Sequence, residues 1–219
     1  MSIQKTFQKL IEIIQKQGAN LEDFLENLHP SDLAELVEDL NDKQKKEFFT
    51  LLSEEEAASI LQEMEEFDQV TLFRLLTKKR ASAILKEMAS DDAVDLLGEL
   101  SDEERKEILT LIDEEAEEIR GLLQYPEDTA GGIMTTEYIS LPGNLPIEEA
   151  IARLREIAPE AETIYYVYVV DNKNRLIGVV SLRELIAAQD GILVENIMSK
   201  NIIDVDVHTD QEEDARIVS

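Results

Sequence analysis

The side chains able to do chemistry in this chain are almost all oxygen ligands. There are 49 Asp and Glu against 21 Lys and Arg, with two His and no Cys. Without thiols there is no disulfide, no thiolate nucleophile and no Cys-based zinc or iron–sulfur site. His29 and His208 lie far apart in sequence, which argues against a His-rich metal site or a His-based triad. No Gly-rich phosphate loop, nucleophile elbow or zinc motif occurs, so no active site is expected. Hard divalent cations take carboxylate, carbonyl and water oxygens, and those this chain has in abundance. The densest candidate is Ser90-Asp91-Asp92-Ala93-Val94-Asp95. On a helix capped by Ser90, Asp91 and Asp95 share one face, with Glu99 a turn further on. Acid in a first helical turn also complements the macrodipole, and a charged helical face also serves simply to be solvated. Spacing alone leaves these readings open.

The elements that must position those carboxylates fall into two halves. Residues 1–130 carry 33 acidic and 14 basic side chains, a net of −19, and residues 131–219 carry 16 and 7, a net of −9. The total of −28 disfavours nucleic acid and anionic membrane surfaces and favours cations or basic partners. An apolar share of 43% is ordinary for a globular protein. No basic segment followed by an apolar run opens the chain, so no signal peptide is expected. The longest apolar run, Ile164 to Val170, has the length of a strand and not of a membrane span. A soluble, cytosolic chain is the expectation.

A twelve-residue repeat organises the first half. Phe24, Leu36, Phe48, Ile60, Leu72, Ile84, Leu96 and Ile108 follow this step. The series beginning at Leu25 and ending at Leu109, and that from Leu28 to Ile112, are apolar at every position too. Each unit holds about nine helical residues and a short turn, and helices this short must bury their stripe against neighbours. The expected product is an α-helical solenoid, right- or left-curved, built from helical hairpins with a 12- or 24-residue period. Ser53-x-x-Glu56 and Ser101-x-x-Glu104 read as capping boxes, and Ser31, Thr77 and Ser90 as N-caps. His29 before Pro30 reads as a turn or helix-start residue.

Past Tyr125-Pro126 the pattern changes. Ala130-Gly131-Gly132 breaks the helix, and Ile139-Ser140-Leu141 reads as a strand. Pro146 opens a helix with Ile147, Ala150, Ile151, Leu154 and Ile157 on one face. Thr163–Val170 reads as a buried strand, Asp171–Asn174 as a turn, Leu176–Val180 as a strand, and Ser181 as the cap of another helix. At an offset of 64, Ile133-Met134 returns as Ile197-Met198 and Glu148-Glu149 as Glu212-Glu213. A second β-α-β-β-α unit thus begins and stops in its first helix, and a fragment is the expectation.

Several motifs carry a family resemblance over nearly the whole chain. They are Leu28-His29-Pro30, Asp91-Asp92-x-x-Asp95, Tyr125-Pro126-Glu127-Asp128-x-Ala130-Gly131-Gly132-x-Met134-Thr135, the tyrosine strand from Glu162 to Asp171, Ser181-Leu182-Arg183 and Asp210-Gln211-Glu212-Glu213. Together these resemble the cytosolic part of MgtE-type magnesium transporters and channels, with the α/β unit similar to a CBS domain. The resemblance implies a helical domain over 1–124, a junction over 125–135, a first CBS unit over 136–200 and the truncated start of a second over 201–219. It also implies a homodimer paired through CBS domains, a transmembrane domain as partner, no nucleic-acid partner, and a place at the cytoplasmic face of the membrane. Carried over by motif, Asp91, Asp92, Asp95, Gly132, Asp210 and Glu212 would be ligands for Mg²⁺, with Mn²⁺ and Ca²⁺ as alternative ions. CBS pairs often bind adenine nucleotides, which makes Tyr166, Ser181, Arg183 and Glu184 candidates for ATP, with Glu184 standing where an Asp is usual. An acidic scaffold for a basic partner is the third reading, and it would respond alike to Na⁺ and Mg²⁺ at matched ionic strength.

Overall fold

The protein is described by a computed structural model covering residues 3–112, 116–157 and 165–218. The chain divides into two compact units, Met1–Gln124 and Tyr125–Ser219.

The first unit is helical: α1 (Ile3–Gln15), α2 (Leu21–Leu25), α3 (Pro30–Glu38), α4 (Asp42–Leu51), α5 (Glu54–Gln62), α6 (Glu66–Leu75), α7 (Lys78–Leu85), α8 (Ser90–Gly98), α9 (Asp102–Leu109) and α10 (Ala116–Leu122). From α3 onward each helix packs on the one two places along, giving a stack α3-α5-α7-α9 and a second stack α4-α6-α8-α10, while α1 packs on α4. All 24 residues of the three apolar series are buried except Leu25, Leu28 and Leu109, which are half-buried. Those three belong to the end units, where a neighbour covers one side only. The solenoid expected from the period is therefore what forms.

The period also fixes where each helix starts. From α3 to α9 the N-caps are His29, Asn41, Ser53, Glu65, Thr77, Ala89 and Ser101, each directly after a residue of the third apolar series. Burial of that residue ends one unit and leaves the next position in the extended conformation a cap requires. Two sequence expectations fail against this register. Ser31 lies inside α3, because Pro30 takes the first helical position and the cap falls on His29, whose Nδ1 accepts from the Ser31 N–H at 3.4 Å. Ser90 likewise lies inside α8, capped in position by Ala89, whose side chain offers no acceptor. Thr77 and the two Ser-x-x-Glu boxes cap as expected.

The second unit contains β1 (Ser140–Pro142), α11 (Ile147–Ile157), β2 (Tyr166–Val170), β3 (Leu176–Ser181), α12 (Leu182–Ala187), a 3-10 turn at Val194–Asn196 and α13 (Gln211–Val218). The sheet order is β1-β2-β3, with β1 parallel and β3 antiparallel to β2. Val167 and Val169 point into a core with Leu141, Ile147, Leu154 and Leu185. Tyr166 and Tyr168 alternate to the other face, 63% and 38% exposed. Among the described residues only one face of this strand is covered, so the expectation of a buried strand is corrected; Thr163 and Ile164 lie outside the described residues. Ile157, expected on the buried face of α11, is 40% exposed because it ends the helix beyond the sheet-covering turns.

Candidate metal centre

The candidate ligands divide between the two units. In the first, α8 presents Asp91, Asp92 and Asp95. Its first turn holds two of these acids, where the unpaired N–H groups of an uncapped helix favour negative charge. Asp92 is drawn aside: its Oδ2 accepts from Nε2 of Gln62, the last residue of α5, at 2.5 Å. Asp91 differs. Its Oδ1 is closed off from solvent and accepts no hydrogen bond, which no other described side chain repeats. A shielded carboxylate oxygen without a donor costs free energy that a bound cation would offset. Asp95, one turn along, is exposed.

In the second unit, two segments about 80 residues apart in sequence come together. The Ala130 N–H donates to Thr209 O at 2.7 Å, Gly131 N–H to Val207 O at 2.8 Å, and Gln211 N–H to Asp128 O at 2.9 Å. Gly132 donates to Thr129 O at 2.9 Å, so Gly132 and Asp210 sit on one platform of paired backbone. Both glycines are needed for close approach. A Cβ on Gly131 would meet the Tyr125 ring at 2.6 Å and Val207 O at 2.9 Å, and one on Gly132 would run into the Pro126 carbonyl. Asp210 also has a local task, since its Oδ1 accepts from the Glu212 N–H at 2.9 Å at the start of α13. Glu212 is exposed and pairs with Arg216 at 3.4 Å. Among the described residues no group of three or more His, Asp or Glu side chains converges into a complete metal site.

The nucleotide candidates cluster at one corner of the sheet. Tyr166 is paired in register with Ser181, and the Leu182 N–H donates to Tyr165 O at 3.1 Å. Glu184 closes a capping box, its Oε2 accepting from the Ser181 hydroxyl at 2.7 Å and the Ser181 N–H at 2.9 Å. Those two donors, the hydroxyl first, hold its carboxyl below the usual range. Arg183 is exposed beside them. Ser181 caps its helix as the sequence predicts, whereas no local pattern links Gln62 to Asp92, thirty residues on.

Residues 28–128 match the family model for the MgtE intracellular N domain, and residues 130–191 match that for the CBS domain. The magnesium transporter MgtE of Thermus thermophilus is 49% identical over 102 residues, which is 47% of this chain and 23% of that protein. The magnesium transporter MgtE of Enterococcus faecalis is 49% identical over 105 residues, 48% of this chain and 23% of its own length. The matched segment therefore spans under a quarter of these curated relatives. Among solved structures, the soluble part of a magnesium transporter superimposes with a TM-score of 0.92 at 35% identity, covering 99% of this chain and 86% of that one. The cytosolic domain of the Mg²⁺ channel MgtE in complex with ATP gives a TM-score of 0.83 at 37% identity, covering 97% and 88%. No described helix is long and apolar enough to cross a membrane.

Proposed function

Because the chain belongs to the MgtE family and corresponds to its cytosolic region, we propose that it is the Mg²⁺-sensing regulatory region of a magnesium transporter or channel. The observation that carries this reading is the shielded, donor-less Oδ1 of Asp91. Mg²⁺ supplies the charge that oxygen lacks, and it needs only one or two carboxylates because it keeps much of its water. Asp91, Asp92 and Asp95 are the ligands proposed on the helical side, and Gly132, Asp210 and Glu212 those on the other.

The switch is electrostatic. Unit one carries 14 basic against 31 acidic side chains and unit two 7 against 18, so both are strongly negative. Two carboxylates 4 Å apart repel by about 1 kcal/mol in water and about 4 kcal/mol at the effective dielectric of a protein surface. Bound Mg²⁺ offsets that repulsion and favours a compact arrangement, and its loss releases the helical unit. In the full-length protein, compaction would close the gate of a transmembrane domain, the proposed partner, in a homodimer paired through CBS units at the cytoplasmic face of the membrane. The one-sided sheet supports a further partner surface on the CBS unit. The proposed boundaries follow the junction at 125–135 and the start of a second CBS unit at 201.

The test is a Mg²⁺ titration of the chain at constant ionic strength, followed by amide chemical shifts. The wild type is expected to saturate, with the largest changes in α8, and Asp91→Asn to weaken the response about tenfold. An unchanged titration in Asp91→Asn would remove the proposal.

A second reading, ATP binding, is favoured by the exposed ring of Tyr166 beside Ser181 and Arg183. The related cytosolic domain in complex with ATP supports it. The capping role of Glu184 weighs against that side chain as a ribose acceptor, and calorimetry with ATP decides.

A further inference from the structure

On α8, Asp95 lies four residues after Asp91 and three after Asp92. Both spacings bring helical side chains within about 5–6 Å of each other at Cβ, so either acid can share a cation with Asp95. The structure treats the two differently. Asp91 keeps its shielded Oδ1 without a donor, whereas Asp92 is tied to a neighbouring helix through the Gln62 amide, which donates to its Oδ2 at 2.5 Å.

Gln62 is itself held in place. It is the last residue of α5, and its backbone carbonyl accepts from Nε2 of Gln69 on α6 at 3.4 Å. Gln62 and Asp92 are both half-buried, which limits competition from water for the bond between them. The donor is also neutral. An amide at this place leaves the charge of Asp92 uncancelled and engages one of its two oxygens, so that Asp92 can offer a cation at most its Oδ1.

That restriction does not weigh equally on different ions. Mg²⁺ keeps several waters and is served by single oxygens from one or two carboxylates. Ca²⁺ gathers about six to eight oxygens and commonly takes a carboxylate through both of them. Resting on the Mg²⁺ reading of this site, we propose that Gln62 is a positioning residue that sets its ion preference. By holding Oδ2, it keeps Asp92 from closing on an ion with both oxygens, which costs Mg²⁺ little and denies Ca²⁺ the carboxylate geometry it favours.

The test titrates the 219-residue chain with Mg²⁺ and with Ca²⁺ at constant ionic strength, followed by the amide shifts of α8. Gln62→Met preserves the length of the side chain and removes its donor. Ca²⁺ affinity is expected to rise about tenfold in this variant, with Mg²⁺ affinity changed less than about threefold. Adding Asp92→Asn to Gln62→Met should abolish the Ca²⁺ gain. Gln69→Met, which removes a hydrogen bond to Gln62 without touching Asp92, should leave the ratio of the two affinities as in the wild type. A general loosening of the helices would lower both affinities together and would do so in Gln69→Met as well, and that result overturns the proposal. So does a Ca²⁺ gain that survives Asp92→Asn. A wild type that saturates with Mg²⁺ while Gln62→Met keeps its affinity ratio removes this inference alone, whereas a wild type without a saturable Mg²⁺ response removes the Mg²⁺ reading along with it.

Discussion

The two units handle their apolar surface in opposite ways. Of the large apolar side chains left exposed among the described residues, the helical unit contributes only Phe67 and Leu111, and the smaller α/β unit contributes all the others. In the repeat, each short helix finds its cover in the next unit but one, so the core closes wherever a neighbour exists. In the α/β unit, the three-stranded sheet packs one face into the core, and the Tyr166–Tyr168 face has no equivalent cover among the described residues. A stacked repeat satisfies itself locally, whereas a small open sheet leaves a surface whose natural use is association.

That contrast is most sharply broken by paired truncations. Phe48, fully buried in the repeat, should cost about 3–5 kcal/mol as Phe48→Ala, read by urea denaturation. Tyr166→Ser on the open sheet face should cost under about 0.5 kcal/mol in the isolated chain. Equal costs would mean that the sheet face is covered in solution by something within the chain or by a second copy.

A smaller effect concerns the helix starts. Ala89 holds the one cap position between α3 and α9 that lacks any polar side chain. Ala89→Ser is expected to stabilise the helical unit by about 1 kcal/mol, as a shift in the urea midpoint with unchanged slope. No gain would show that the cap register is not what limits α8.

The smallest effect compares the same Ser-x-x-Glu box in both units. Glu104 is held at about 2, first by the Arg74 guanidinium, bonded at 3.0 and 3.2 Å, and then by the Ser101 N–H and hydroxyl. Glu184 is lowered by its Ser181 donors and has no such bidentate arginine. A carboxyl depressed in the folded state adds stability above its unfolded value near 4.5, and that contribution fades as the pH falls from there towards 2. The stability difference between wild type and Glu104→Gln should therefore be constant at neutral pH and vanish on acidification through this window. Because the Glu104 side chain is 38% exposed, solvent screening keeps the difference small. Glu184→Gln should show a weaker version, and the reverse ranking would discount the arginine's part.

Much of the fold was legible because the relevant forces act over short stretches of chain. The twelve-residue spacing of Phe48, Ile60 and Leu72 needs only helical geometry and burial to become a stack. Ser53 and Ser101 need only a Glu three residues on to cap a helix. Ser31 and Ser90 misled because a good capping side chain competes with the register of the buried series, and the register wins through several buried residues per unit. Tyr166 and Tyr168 misled because an unbroken apolar run does not say which faces of its sheet are covered.

For the candidate site the division is similar. The sequence by itself determined which oxygen-bearing side chains the chain offers, where they concentrate, and that α8 would carry Asp91 and Asp95 a turn apart. Only the tertiary structure decided that Gln62 takes up Asp92, that one oxygen of Asp91 is sealed from solvent without a donor, and that the Gly131-Gly132 backbone lies against Val207 and Thr209. The physical reason is range. Periodicity and capping are settled within a dozen residues, whereas the shielding of a charge depends on atoms brought from thirty or eighty residues away.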